Sequence, residues 1–118
     1  MALDGILKDF LASVKGARAA IFLDGDGESV AQAGEAGTDI KLLGAWKEIQ
    51  LDRITEITGR LGLGSVRAVL FSLEEGNGLI APVSDGYCVL LFMSAYADTR
   101  EAMTELQNAV ELLKKDIE

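Results

Sequence analysis

Residues 66–93 constrain the fold of this chain more than any other stretch. VRAVLFSL is followed by EEGNG, then LIAPVS, then Asp85-Gly86, then YCVLLFM. The connections are too short for helical crossovers, so the runs predict a three-stranded antiparallel meander. Asp-Gly between β-forming residues is a hairpin signal because both central positions of a type I′ turn need positive φ. Asn77-Gly78 predicts the other corner on the same ground. Val66, Ala68 and Leu70 share one face of the first run and Val69, Phe71 and Leu73 the other, while residues 87–93 are apolar throughout. Both faces of the sheet are therefore expected to be covered.

The flanking segments supply the cover. Leu3, Ile6, Leu7, Phe10 and Val14 recur three or four apart, which predicts a helix ended by Lys15-Gly16. ARAAIFL, residues 17–23, reads as a strand that turns through Asp24-Gly25-Asp26-Gly27 into a second strand over residues 28–33, with Val30 alternating among polar neighbours. Thr38 or Asp39 can cap a long helix running to about Gly59. Its central apolar stripe is Leu43, Trp46, Ile54, Ile57 and Leu61, with Ile40, Leu42, Ala45, Ile49 and Leu51 as flanks; Lys41, Glu48, Asp52 and Thr55 form the arc turned to solvent. The last helix opens at Asp98, with Glu101 at capping-box spacing, and carries Ala102, Met103, Leu106, Ala109, Val110, Leu113 and Ile117 on one face. Helix, hairpin, helix, meander, helix predicts one α+β domain over residues 1–118, with an antiparallel sheet of about five strands and helices on both faces.

Composition removes several functions. The chain has 118 residues, a net charge of −8 and no histidine. Eleven Lys and Arg spread along it do not make the basic surface that phosphate neutralisation needs, so no nucleic-acid partner is expected. The single Cys88 lies in an apolar strand and makes neither a disulfide framework nor a metal pair, which fits a reducing, cytoplasmic setting. The longest apolar run, residues 87–93, is far below the ~20 residues that cross a bilayer, so no membrane insertion is expected.

GARAAIFLDGDGESVAQAG, a long amphipathic helix, and VLFSLEEGNGLIAPVSDGYCVLLFM with a terminal helix together resemble the Roadblock domain, the family of dynein-associated light chains and prokaryotic regulators of small Ras-like GTPases. The resemblance covers nearly the whole chain and is one of pattern, without an invariant catalytic signature. It implies a five-stranded antiparallel sheet of order 2-1-5-4-3 in a Roadblock/profilin-like sandwich, with the second helix on one face and the terminal helices on the other. It also implies a homodimer whose third strands pair edge to edge and whose second helices lie side by side. Ile49, Arg53, Arg67, Val69 and Phe71 are the candidate dimer residues, and Lys41, Ala45, Glu48, Asp52 and Thr55 the candidate partner surface. Pro82 conflicts with this order, because an inner strand cannot spare a donor, and a local irregularity is expected there.

Catalytic and ligand-binding motifs are weak. Asp24, Asp26, Glu28 and Glu35 have the one, three, five and twelve spacing of an EF-hand loop, but Ser29 stands where the sharp-turn Gly belongs and strands replace the flanking helices, so a solvated turn is the better reading. Gly62-Leu63-Gly64-Ser65 lacks the Lys and spacing of a P-loop and the elbow of a hydrolase. Cys88 lacks a histidine base and reads as core, as does Trp46. Arg53 and Lys41 are the basic groups at the second helix's polar edge, and an inserted arginine finger is not the favoured mechanism. No metal, cofactor or enzyme activity is expected. The function implied is a dimeric regulator or scaffold binding a small Ras-like GTPase. The alternatives are a structural assembly subunit without nucleotide dependence and a small-molecule sensor with an apolar pocket under the sheet.

Overall fold

A computed structural model describes residues 3–35, 46–47 and 51–118. Its elements are α1 (Leu3–Ser13), β1 (Ala17–Leu23), β2 (Ser29–Gly34), α2 (Arg53–Arg60), β3 (Val69–Leu73), β4 (Gly76–Pro82), β5 (Cys88–Met93) and α3 (Thr99–Ile117). The strands form one antiparallel sheet of order β2-β1-β5-β4-β3. This is the expected fold class and strand order. α1 buries Ile6, Leu7 and Phe10 and stops at Gly16, whose φ of 89° suits a residue without Cβ. The expected second helix is described only for Trp46, Lys47 and residues 51–60; its candidate residues Lys41, Ala45, Glu48 and Ile49 lie outside the described residues.

One corner of the meander forms as read and the other is displaced. Asp85 and Gly86 take φ of 52° and 84°, and Tyr87 N–H donates to Ser84 O at 2.9 Å. The other corner is Glu74-Glu75, closed by the Leu73 and Gly76 pair, and not Asn77-Gly78. Asn77 and Gly78 are inside β4, opposite Ser72 and Phe71 on one side and Met93 and Phe92 on the other. Gly76 answers a need for space, whereas a side chain on Gly78 would make ordinary contact. A Cβ on Gly76 would come within 2.8 Å of Met93 O, and one on Gly78 would sit 3.4 Å from the Trp46 ring.

Pro82 creates no irregularity: the β4 to β5 register runs unbroken from Asn77 opposite Met93 to Pro82 opposite Cys88. Val83 N–H donates to Tyr87 O at 2.8 Å. Hydrogen-bonded and non-bonded pairs alternate along an antiparallel ladder, so the Pro82 nitrogen faces away from β5. On that far side the pairing with β3 begins only at Ile80 opposite Val69, and the missing donor breaks nothing. β2 departs from the reading in another way. Phe22 pairs with Ala31 but Leu23 with Ser29, so Val30 is the extra residue of a bulge and is exposed, while Ala31 turns into the core.

Two apolar clusters cover the two sheet faces. On one, α1 and α3 pack Ile6, Leu7, Phe10, Leu106, Val110 and Leu113 against Phe22, Leu79, Val89 and Leu91. On the other, Leu51 and the half-buried Trp46 cover Ile21, Leu23, Ile80, Cys88 and Leu90, with Val66, Val69, Phe71 and Phe92 at the margin. The stripe read for the second helix is corrected here. Leu51, placed on a flank, is 3% exposed, whereas Ile57 and Leu61, placed at the centre, are 56% and 65% exposed. In α2 Ile54 is half-buried, whereas Ile57 in the last turn and Leu61 just after it lie in the open.

Candidate functional site

The sheet ends in two edges of different character. β2 is interrupted by the Val30 bulge, which bends a strand and spoils its ladder as a template. β3 pairs with β4 through five consecutive positions without a shift, and no described strand lies on its outer side. A regular edge of this kind invites a further strand. Ile57, Leu61 and Leu63 are all exposed, Leu63 to 72%, as are Leu70 and Leu73 on β3 itself. Sequence periodicity alone did not single out Ile57, Leu61 and Leu63 as surface groups. The spacing of Ile57 and Leu61 is that of a core stripe, whereas Leu63 lies in the stretch 62–65 read as a helix stop.

The candidate dimer residues do not all converge. Val69 and Phe71 lie on β3 but turn toward the second-helix face, where Phe71 meets Trp46 at a ring-centroid distance of 4.5 Å. What they present to a mate is therefore backbone and one flank. Arg53 opens α2 and Arg67 precedes β3; both are exposed. Of the candidate partner surface, Asp52 and Thr55 are described and exposed. Thr55 Oγ1 donates to Leu51 O at 2.7 Å, so its hydroxyl proton is engaged within the helix.

Lys47, which the sequence reading passed over, anchors this region. It is 4% exposed, and its Nζ donates to Asp52 Oδ2 at 3.2 Å and to Gly25 O at 3.3 Å. The ammonium thus ties the second helix to the β1–β2 turn. A buried charge persists only when paired and hydrogen-bonded, and removing Asp52 would leave this one with a single carbonyl among the described residues. No local pattern marks Lys47, because its partners come from a different turn and from five residues along the helix.

Catalytic chemistry finds little support. Cys88 is buried, and loss of hydration pushes its thiol up to about 12, with Lys47 opposing and Asp52 and Asp24 adding to the rise. Such a thiol is a poor nucleophile. Asp24 Oδ1 accepts from Asp26 N–H at 2.9 Å and Glu28 N–H at 3.0 Å, and Glu35 pairs with Arg18 at 3.3 Å, so two of the four EF-hand-spaced carboxylates serve local structure. An apolar cleft of about 360 Å³, with Arg18, Glu35, Leu73 and Phe92 in its walls, opens at the end of the sheet and not between its layers. Among the described residues no helix is long and apolar enough to cross a membrane.

No family model and no curated protein matches the sequence. Solved structures do. A Roadblock/LC7 domain from Streptomyces avermitilis superposes with a TM-score of 0.88 at 19% identity, covering 99% of this chain and 98% of its own. Myxococcus xanthus MglB gives 0.88 at 10% identity over 98% and 94%. An MglB structure described as having a tetrameric arrangement gives 0.85 at 15% identity over 96% and 85%. At such identities the likeness speaks for architecture, and function has to be argued from the site. The chain therefore carries the Roadblock/LC7 fold.

Proposed function

We propose that this protein is a self-associating regulator or scaffold for a small Ras-like GTPase, acting from the cytoplasm through binding and without acid–base chemistry of its own. The observations that support self-association are the unbroken β3 edge and the exposure of Ile57, Leu61 and Leu63. Pairing β3 with the β3 of a second copy satisfies the free ladder, and the adjacent α2 helices then bury these three side chains against each other. The tetrameric arrangement described for a similar MglB is in keeping with that. The GTPase as partner follows from the Roadblock resemblance, and the exposed arc through Asp52 and Thr55 is the surface offered to it.

Regulation requires unequal affinity for the two nucleotide states, since a ligand that binds both equally shifts no equilibrium. A tenfold preference corresponds to about 1.4 kcal/mol. Calorimetry with the GTPase from the same cell, loaded in turn with GTP and GDP, is expected to give at least that difference. Equal affinities would make the protein an assembly subunit instead.

A further inference from the structure

The ladder fixes which groups of β3 are free. Val83 N–H donates to Tyr87 O, so by alternation Asn77, Leu79 and Ala81 bond to β5, while Gly76, Gly78 and Ile80 bond to β3. Their partners Leu73, Phe71 and Val69 therefore turn their amide and carbonyl groups toward β4. Leu70 and Ser72 point theirs out of the sheet, and both residues are exposed.

A second copy meets this edge antiparallel across a twofold axis in few registers, because outward-pointing residues must face outward-pointing residues. The axis then passes through a residue. β3 has five residues, Val69–Leu73, and it is matched along its whole length only when the middle one, Phe71, lies on the axis. Leu70 then exchanges both hydrogen bonds with Ser72 of the second copy, and every outward group of β3 is satisfied within β3. Phe71 faces its own copy in a non-hydrogen-bonded pair. Val69 faces Leu73, which is 60% exposed in one chain and shares the sheet face of Val69 and Phe71 by alternation. With Leu70 on the axis, Ser72 would depend on Ala68, outside the strand. With Ser72 on the axis, exposed Leu70 would face the charged Glu74 of the turn.

The register centred on Phe71 also matches charge. It sets Arg67 opposite Glu75, two residues beyond the ends of the strand, and the axis repeats the pair. Both are exposed, and neither has an ion-pair partner among the described residues. Unlike charges placed opposite each other across strands are favourable, and like charges there are not. We propose that β3 pairs with the β3 of a second copy of this chain with Phe71 on the twofold axis, and that the two Arg67 and Glu75 pairs select that register. This rests on the self-association reading and adds to it the alignment and the residues that set it.

The test joins cross-linking to sedimentation of the full chain. In a Cys88→Ala background, Leu70→Cys and Ser72→Cys are made in separate copies, co-expressed and mildly oxidised. Both positions are exposed, so the core is left intact. Residues in a hydrogen-bonded antiparallel pair have Cα atoms about 5.5 Å apart, within the span of a disulfide. The mixed disulfide between the two variants is expected at least tenfold over either self-linked product. Separately, Arg67→Glu and Glu75→Arg should each weaken the homodimer about tenfold, and an equimolar mixture of the two should regain native affinity, because unlike charges then face each other at both ends. A self-linked product as the main species would move the axis and overturn the proposal, as would a mixture that stays weak. A sedimenting dimer that forms none of the three disulfides would overturn this register and leave self-association standing. A monomer at micromolar concentration would overturn both.

Discussion

Cys88 shows how one residue is governed by its surroundings. In sequence it is a lone thiol in an apolar run; in the fold it belongs to a buried cluster with Ile21, Leu23, Leu51 and Leu90, where its neutral form is strongly preferred. The unfolded thiol loses its proton near its ordinary value of 9.0, whereas the folded one holds it to about 12. Between those values the unfolded state binds fewer protons, so stability falls as pH rises, by about 1.4 kcal/mol per unit from this group. Urea unfolding at several pH values from 8 to 11, under reducing conditions, should show a steeper loss in the native protein than in Cys88→Ala. Lysines and tyrosines titrate in both proteins, so the difference in slope isolates the thiol. Equal slopes would place Cys88 in a more hydrated site.

At the scale of the element, α3 was the most legible part of the chain. Asp98 caps it as read, its Oδ1 accepting from Arg100 N–H at 2.9 Å and Glu101 N–H at 3.2 Å. The reciprocal half of the capping box is different: Glu101 Oε1 accepts from Lys15 N–H at 3.4 Å, and so ties the start of α3 to the turn after α1. Asp98→Ala should cost about 1 kcal/mol and Asp98→Ser much less, read as a fall of a few degrees in thermal midpoint for the first and almost none for the second. α2 behaves in the opposite way. Its periodicity named Ile57 and Leu61 as core, because an amphipathic stripe records that a face is buried without saying by what. If a second copy supplies that cover, the stripe was read correctly for an assembly and wrongly for one chain.

For the whole molecule the question is which surfaces a single chain leaves incomplete. The α1 and α3 face is closed by a continuous cluster, while on the opposite face the described residues include Trp46, Phe71 and Phe92 as half-buried groups, and Ile57, Leu61 and Leu63 are exposed. Val69→Lys, with its charge on the regular edge, or the pair Ile57→Asp and Leu61→Asp on α2, is expected to shift sedimentation toward the monomer by at least tenfold in dissociation constant. Monomer helicity should be retained, since none of these positions is fully buried in one chain. A native protein already monomeric at micromolar concentration would remove the reason for the exposed patch. The same experiment tests whether β3, and not the bulged β2, is the pairing edge, for Gln32→Lys on β2 should leave the assembly unchanged.

Local chemistry was enough to determine α1, β1, the Asp85-Gly86 turn, α3 and its cap, because each rests on residues a few positions apart and on dihedral or periodic preferences that need no distant partner. It also determined that both sheet faces would be covered, from the uninterrupted apolar run of β5. Tertiary structure alone decided the rest. The corner at Glu74-Glu75 displaced the better local signal, Asn77-Gly78, because those two residues pair with β3 on one side and β5 on the other, and the close approach of Met93 O leaves room only for Gly at position 76. Pro82 was harmless because of where β3 begins, and Val30 faced outward because of a bulge set by β1. Lys47, Asp52 and Gly25 came together only when the second helix met the β1–β2 turn. Contacts between residues far apart in the chain leave no periodic trace, and both candidate surfaces of this protein are made of such contacts.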